Sequence, residues 1–71
     1  MKKFDNISNT QIDNAINEWI HNERDRGILH DRLVNGVYFE KLAEKYELSV
    51  QQTKNIVRKG KEIVFKHTED I

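Results

Sequence analysis

The chain contains no cysteine and no proline. Without cysteine, neither a disulfide framework nor a thiolate metal site is available. Only Gly27, Gly36 and Gly60 interrupt the pattern. No apolar run approaches the roughly 20 residues needed to span a bilayer. The opening MKKFDNIS lacks the apolar centre of a secretory signal. A cytoplasmic protein with no membrane contact is expected. Excess charge of one sign is also missing, since 12 bases balance 12 acids, and that balance counts against a generic basic nucleic-acid binder. Chemistry-bearing groupings are scarce too. His21, His30 and His67 lack metal-ligand spacing. No nucleophile–base grouping, glycine-rich phosphate loop or paired-acid site is visible. No catalytic residue, metal or cofactor is therefore assigned, and an enzyme is not expected.

A chain of 71 residues makes one domain at most. It buries roughly 60% of the surface its unfolded form exposes, which allows one core but no deep enclosed active site. With 34% charged residues and no strand-like alternation, the pattern predicts an all-α fold. Residues 1–7 read as a loosely ordered arm, with Phe4 or Ile7 tucked against the core. Ser8 opens the first helix, and Gln11 three residues on completes a capping box. Ile12, Ala15, Ile16, Trp19 and Ile20 form its apolar stripe, so Trp19 is expected in the core. Continuing the stripe would bury Glu23, so this helix should span about 9–21.

Asn22 can cap a second helix over about 23–34, where Glu23 and Asp25 suit the positive end of the helix dipole. Its apolar residues Ile28, Leu29 and Leu33 cover a wide arc, and Gly27 offers room for a close approach to Trp19. Asn35-Gly36 ends it, Gly36 fitting the left-handed position after a helix.

The stretch from Phe39 to Val57 is the centre of the pattern. Phe39, Leu42, Ala43 and Tyr46 lie on one face of a third helix, about 39–46. Ser49 is a good N-cap, and S-V-Q-Q to Gln52 fits a second capping box. A fourth helix follows over about 50–67, with Thr53, Ile56, Val57, Gly60, Val64 and His67 on one arc. Two helices joined by so short a turn must cross steeply, as in a helix-turn-helix. The expected fold is therefore an all-α, four-helix, helix-turn-helix domain, with 68–71 a frayed tail. Phe65 falls on the polar side of the fourth helix. It packs against the arm, buries itself in a second subunit, or marks a helix that bends or ends at Gly60.

Charge is distributed unevenly. From Ser49 to Lys66 the bases are Lys54, Arg58, Lys59, Lys61 and Lys66, against Glu62 alone. The acids concentrate before Ser49 and in the tail, so positive charge gathers on the last helix, where a DNA-reading element would need it.

The stretch from Gly36 to Ile56 resembles bacterial helix-turn-helix domains, especially the promoter-reading C-terminal region (region four) of sigma factors. Gly36 stands shortly before the third helix, Leu42-Ala43 within it, Leu48-Ser49 in the turn and Ile56 deep in the fourth helix, as that pattern asks. The likeness extends upstream through Asp25-Arg26-Gly27-Ile28-Leu29. Small stand-alone proteins of this type occur in phages and mobile elements of Gram-positive bacteria. The chain departs from the pattern at Glu47, where glycine is usual, at Thr53, where a branched aliphatic is usual, and at Tyr38, near the third-helix cap, where Ser or Thr is usual.

The resemblance implies a transcriptional regulator that binds double-stranded DNA with the N-terminal end of helix 50–67 in the major groove. Gln51, Gln52 and Asn55 are then the candidates for base edges, since Gln and Asn can bond adenine bidentately. Lys54 and Arg58 can reach either bases or phosphates, and Lys59 suits phosphate or solvent. Ser49 is mainly a cap, and its hydroxyl can also help hold a phosphate. The competing expectation is a protein-interaction module on the same scaffold, contacting RNA polymerase or a second copy of the chain as a homodimer.

Overall fold

A computed structural model describes residues 8–68. Four helices follow one another as α1 (Asn9–Trp19), α2 (Glu23–Leu29), α3 (Phe39–Tyr46) and α4 (Val50–Thr68), and a π-helical turn, His30–Val34, extends α2. The all-α, four-helix reading holds. The arm expected over 1–7 and the tail at 69–71 lie outside the described residues.

The expected capping box opens α1. Ser8 Oγ accepts from the Gln11 N–H at 3.1 Å, and Gln11 Oε1 accepts from the Ser8 N–H at 3.0 Å. Each bond satisfies a donor that the helix itself leaves unpaired. Ile12, Ala15 and Ile16 are buried as the stripe requires. The helix ends two residues earlier than expected, because Ile20 turns to extended backbone and buries itself as the closing residue. Ile20 thereby occupies the core position at this end. Trp19, expected inside, is 41% exposed instead. Its ring stacks on His67 of α4, with centroids 3.7 Å apart and planes within 4°.

Asn22 caps α2 by accepting from the Asp25 N–H at 3.1 Å. Ile28 and Leu29 are completely buried. A regular α-helix would place Arg32 and Leu33 one turn on, beneath that pair. The wider π turn, whose bonds span five residues, places Leu33 and Val34 there, and both pack against the core. The Asn35 N–H bonds His30 O across the wider span at 3.4 Å. Burying an unpaired guanidinium is costly, and the π turn avoids it. The single α-helix expected over 23–34 is corrected accordingly. Gly36, at φ +70°, then reverses the chain so that the Val37 N–H reaches Asp31 O at 3.0 Å.

At the end of α3 the Leu48 N–H bonds Ala43 O at 2.8 Å, and Glu47 sits in the left-handed region at φ 56°, ψ 48°. This six-residue closure is a Schellman motif, usually built on glycine. Ser49 and Gln52 form the second capping box, both bonds at 3.0 Å. Thr53, with no exposure, packs in the aliphatic position while its hydroxyl donates to Ser49 O at 2.9 Å.

Helix α4 packs against each of the other three helices. It carries Thr53, Val57, Gly60 and Val64 on its buried face. The core joins these to Ile12, Ile16, Ile28, Leu29 and Leu42, with Leu48, Ile56 and Phe65 packed partly against it. Complete burial of each such aliphatic side chain is worth roughly 1.5–3 kcal/mol. The helix runs unbroken through Gly60, which closes the question of a break there. A β-carbon at residue 60 would lie 2.7 Å from Leu29 Cδ2 and 3.0 Å from Leu29 Cγ, so glycine lets α2 approach α4 closely. Gly27 serves α3 in the same way: a β-carbon there would stand 2.6 Å from Tyr46 Oη. Its close neighbour is thus Tyr46 rather than Trp19.

Candidate nucleic-acid interface

The turn 47–49 delivers the chain into α4 at a defined angle, because Glu47 closes α3 and Ser49 opens α4 within three residues. The unit is held from behind by Asp31 in the π turn. Asp31 Oδ2 accepts from Lys45 Nζ at 2.9 Å and from Tyr46 Oη at 3.2 Å. Burial alone would raise the Asp31 pKa. The hydrogen bonds from Lys45 and Tyr46 and the nearby positive charge prevail, so the carboxyl is held below its ordinary value. The Tyr46 hydroxyl is pushed up, first by burial and then by the Asp31 charge.

With the buried arc of α4 turned inward, the expected reading residues fall on its outer side. Ser49, Gln51, Gln52, Lys54, Arg58 and Lys59 are exposed, and Asn55 is half-buried. They are not independent of one another. Gln51 Nε2 donates to Asn55 Oδ1 at 3.2 Å, and an Arg58 NH2 group donates to the same oxygen at 3.4 Å. Gln52 Oε1 is engaged by the Ser49 N–H, and Ser49 Oγ by the Gln52 N–H. Lys54 leans back over Phe39, its ammonium 5.8 Å from the ring centroid. Lys59 and Asn55 both line the edge of a neighbouring groove.

Sequence pattern does not point to one further cation beside this surface. Arg32 also lies over the Phe39 ring, 4.2 Å from the centroid, and donates to Val37 O at 3.1 Å. Two cations thus share one aromatic ring, a geometry favoured by the ring quadrupole. An arginine four residues after the apolar Ile28 conflicts with a regular helix, which marks Arg32 as displaced but not what it meets.

The groove, of about 420 Å³, lies to one side, where the end of α1 and the start of α2 meet the middle of α4. Trp19, Ile56 and Ile63 give it apolar walls above Leu29 and Gly60, and Lys59 and Asp25 stand on its rim. Ile63 is 40% exposed. Among the described residues no group of three or more His, Asp or Glu side chains is arranged to hold a metal ion, and no helix is long and apolar enough to cross a membrane. No protein-family model, curated protein or solved structure matches the chain.

Proposed function

We propose that the chain is a DNA-binding transcriptional regulator, of the phage or mobile-element kind, that lays the first turns of α4 in the major groove. The observation that carries this reading is the outer surface of α4 between Ser49 and Lys59. It combines Gln51, Gln52 and Asn55 with Lys54, Arg58 and Lys59 and contains no acid. Amides and cations are the groups that meet base edges and phosphates. The short turn from α3 gives this surface a rigid support. The likeness to region four of sigma factors supports the same reading, although a full sigma factor also needs core-binding and promoter-opening parts. No catalytic step, cofactor or metal enters the proposal.

A chemical-shift titration of the protein with a pool of duplexes at low salt tests it. Perturbations should concentrate on residues 49–59. Lys54→Ala and Arg58→Ala should each weaken binding, and loss of a phosphate contact should lower the salt slope by about one. A pool of duplexes that leaves the spectrum unchanged at low salt would end this reading.

The groove beside Trp19 and Ile63 favours a second reading. Two large apolar side chains exposed together on a small protein suit a partner surface. On this reading the scaffold contacts RNA polymerase or a second copy of itself. Co-purification with polymerase that survives Lys54→Ala and Arg58→Ala, but is lost on Ile63→Glu, would favour it over the first.

A further inference from the structure

The hydrogen bonds along the outer face of α4 determine which chemical edge that face can read. Arg58 can only donate, so the Asn55 atom facing it is the carbonyl oxygen. The same oxygen receives Gln51 Nε2. An amide whose oxygen accepts from two neighbours keeps only its NH2 group for a third partner. Among the described residues no hydrogen bond uses Asn55 Nδ2. Gln52 is committed only in part, because its Oε1 accepts the Ser49 N–H of the capping box and keeps a second lone pair. Lys54, Arg58 and Lys59 are donors by nature. Across the whole face from Ser49 to Lys59, Gln51 alone keeps a side-chain carbonyl that no described residue engages.

A face so rich in donors complements an edge rich in acceptors. In the major groove guanine offers two, N7 and O6, whereas adenine pairs one acceptor with an amine and cytosine presents an amine. Bidentate recognition of adenine by Asn55 would need its oxygen to accept from the adenine amine, at the expense of the bonds from Gln51 and Arg58. Building on the DNA-binding reading, we infer that Asn55 and Arg58 act as one unit that reads guanine, and that Gln51 alone meets a base through its exocyclic amine. This reassigns Asn55 from an adenine-type contact to a pure donor. Asn55 becomes the residue that decides specificity, because it holds Gln51 and Arg58 in place while presenting its own NH2.

The test is selection of duplexes from a randomised pool by the whole chain at low salt, repeated with Asn55→Asp. Aspartate has nearly the shape of asparagine and keeps an acceptor for Gln51 and Arg58, but it removes the NH2 donors. One selected position should show guanine with the unaltered chain and lose that preference with the variant. The added negative charge weakens phosphate contacts at every sequence, while a base-facing carboxylate would turn the position toward the cytosine amine. A melting curve confirms that the variant is folded.

A second arm uses only the unaltered protein. Replacing that guanine by 7-deazaguanine removes the N7 acceptor and should lower affinity about fivefold or more, the lower end of a 1–3 kcal/mol base contact. If the selected sites show adenine at the position that responds to Asn55→Asp, or if 7-deazaguanine binds as well as guanine, the inference is overturned while DNA binding stands. Failure of the unaltered chain to retain any duplex would overturn both.

Discussion

Leu29 fills the space where a β-carbon on Gly60 would stand. Leu29 has no exposure and Gly60 is buried in an unbroken helix. In an open helix, Gly60→Ala would stabilise by about 1 kcal/mol through propensity. Here overpacking of a filled core should outweigh that gain, since inserted methyls typically cost about 1–3 kcal/mol. Urea denaturation should therefore show Gly60→Ala to be destabilised by about 1–2 kcal/mol. Pairing it with Leu29→Val should return part of the loss. A stabilised single variant would mean that α2 and α4 are not in close contact at this point.

Glu47 is the one non-glycine residue with positive φ among the described residues. The left-handed region costs an L-residue roughly 1–2 kcal/mol. Glycine avoids that cost but loses more freedom on folding, by about 0.4–1 kcal/mol. Glu47→Gly should thus stabilise the fold by about 0.5–1 kcal/mol, seen as a higher denaturation midpoint with unchanged slope. A lower midpoint would show that the Glu47 side chain supports the turn in some other way.

Gly27 and Tyr46 should be coupled. A methyl at residue 27 meets the Tyr46 hydroxyl at 2.6 Å but the ring carbon behind it only at 3.4 Å. Gly27→Ala alone forces that hydroxyl away from Asp31. Tyr46→Phe alone removes one hydrogen bond, worth about 1 kcal/mol. Together they should cost clearly less than the sum of the two, by about 0.5 kcal/mol or more in a double-mutant cycle. Strict additivity would place the two residues out of contact.

Acid should loosen the support behind the helix-turn-helix unit. The Asp31 carboxyl is held below its ordinary value in the fold, so the unfolded chain takes up its proton first as pH falls. Its contribution to stability is full above the unfolded value, about pH 4. That contribution fades as pH drops through the lower folded value. Asp31→Asn should cost stability at pH 6 and should flatten the loss of stability below about pH 4. Parallel pH profiles for the two proteins would show that Asp31 contributes nothing to the acid response.

The candidate interface is partly legible in the residue pattern. Helix phase alone puts Gln51, Lys54, Asn55 and Arg58 outside once Thr53 and Val57 are inside. Offsets of three and four residues bring Gln51, Asn55 and Arg58 within reach of one another. Which atom faces which is not legible there, because it depends on rotamers chosen together. The meeting of Lys54 and Arg32 over Phe39 is hidden for a different reason: the three residues lie on three separate elements.

By itself the sequence determined the helices and most of their ends. The capping boxes at Ser8–Gln11 and Ser49–Gln52, the Asn22 cap and the Gly36 reversal are local, each closed within a few residues, so residue type and spacing suffice. Tertiary structure decided what depends on neighbours from elsewhere in the chain. It turned Trp19 outward onto His67 because Ile20 closes that end of the core. It widened the helix after Leu29 so that Leu33 and Val34 pack against the core while Arg32 lies over Phe39. It also reserved Gly60 for Leu29 and Gly27 for Tyr46. A periodic pattern says which face of a helix is buried, whereas packing at atomic contact says what that face must touch.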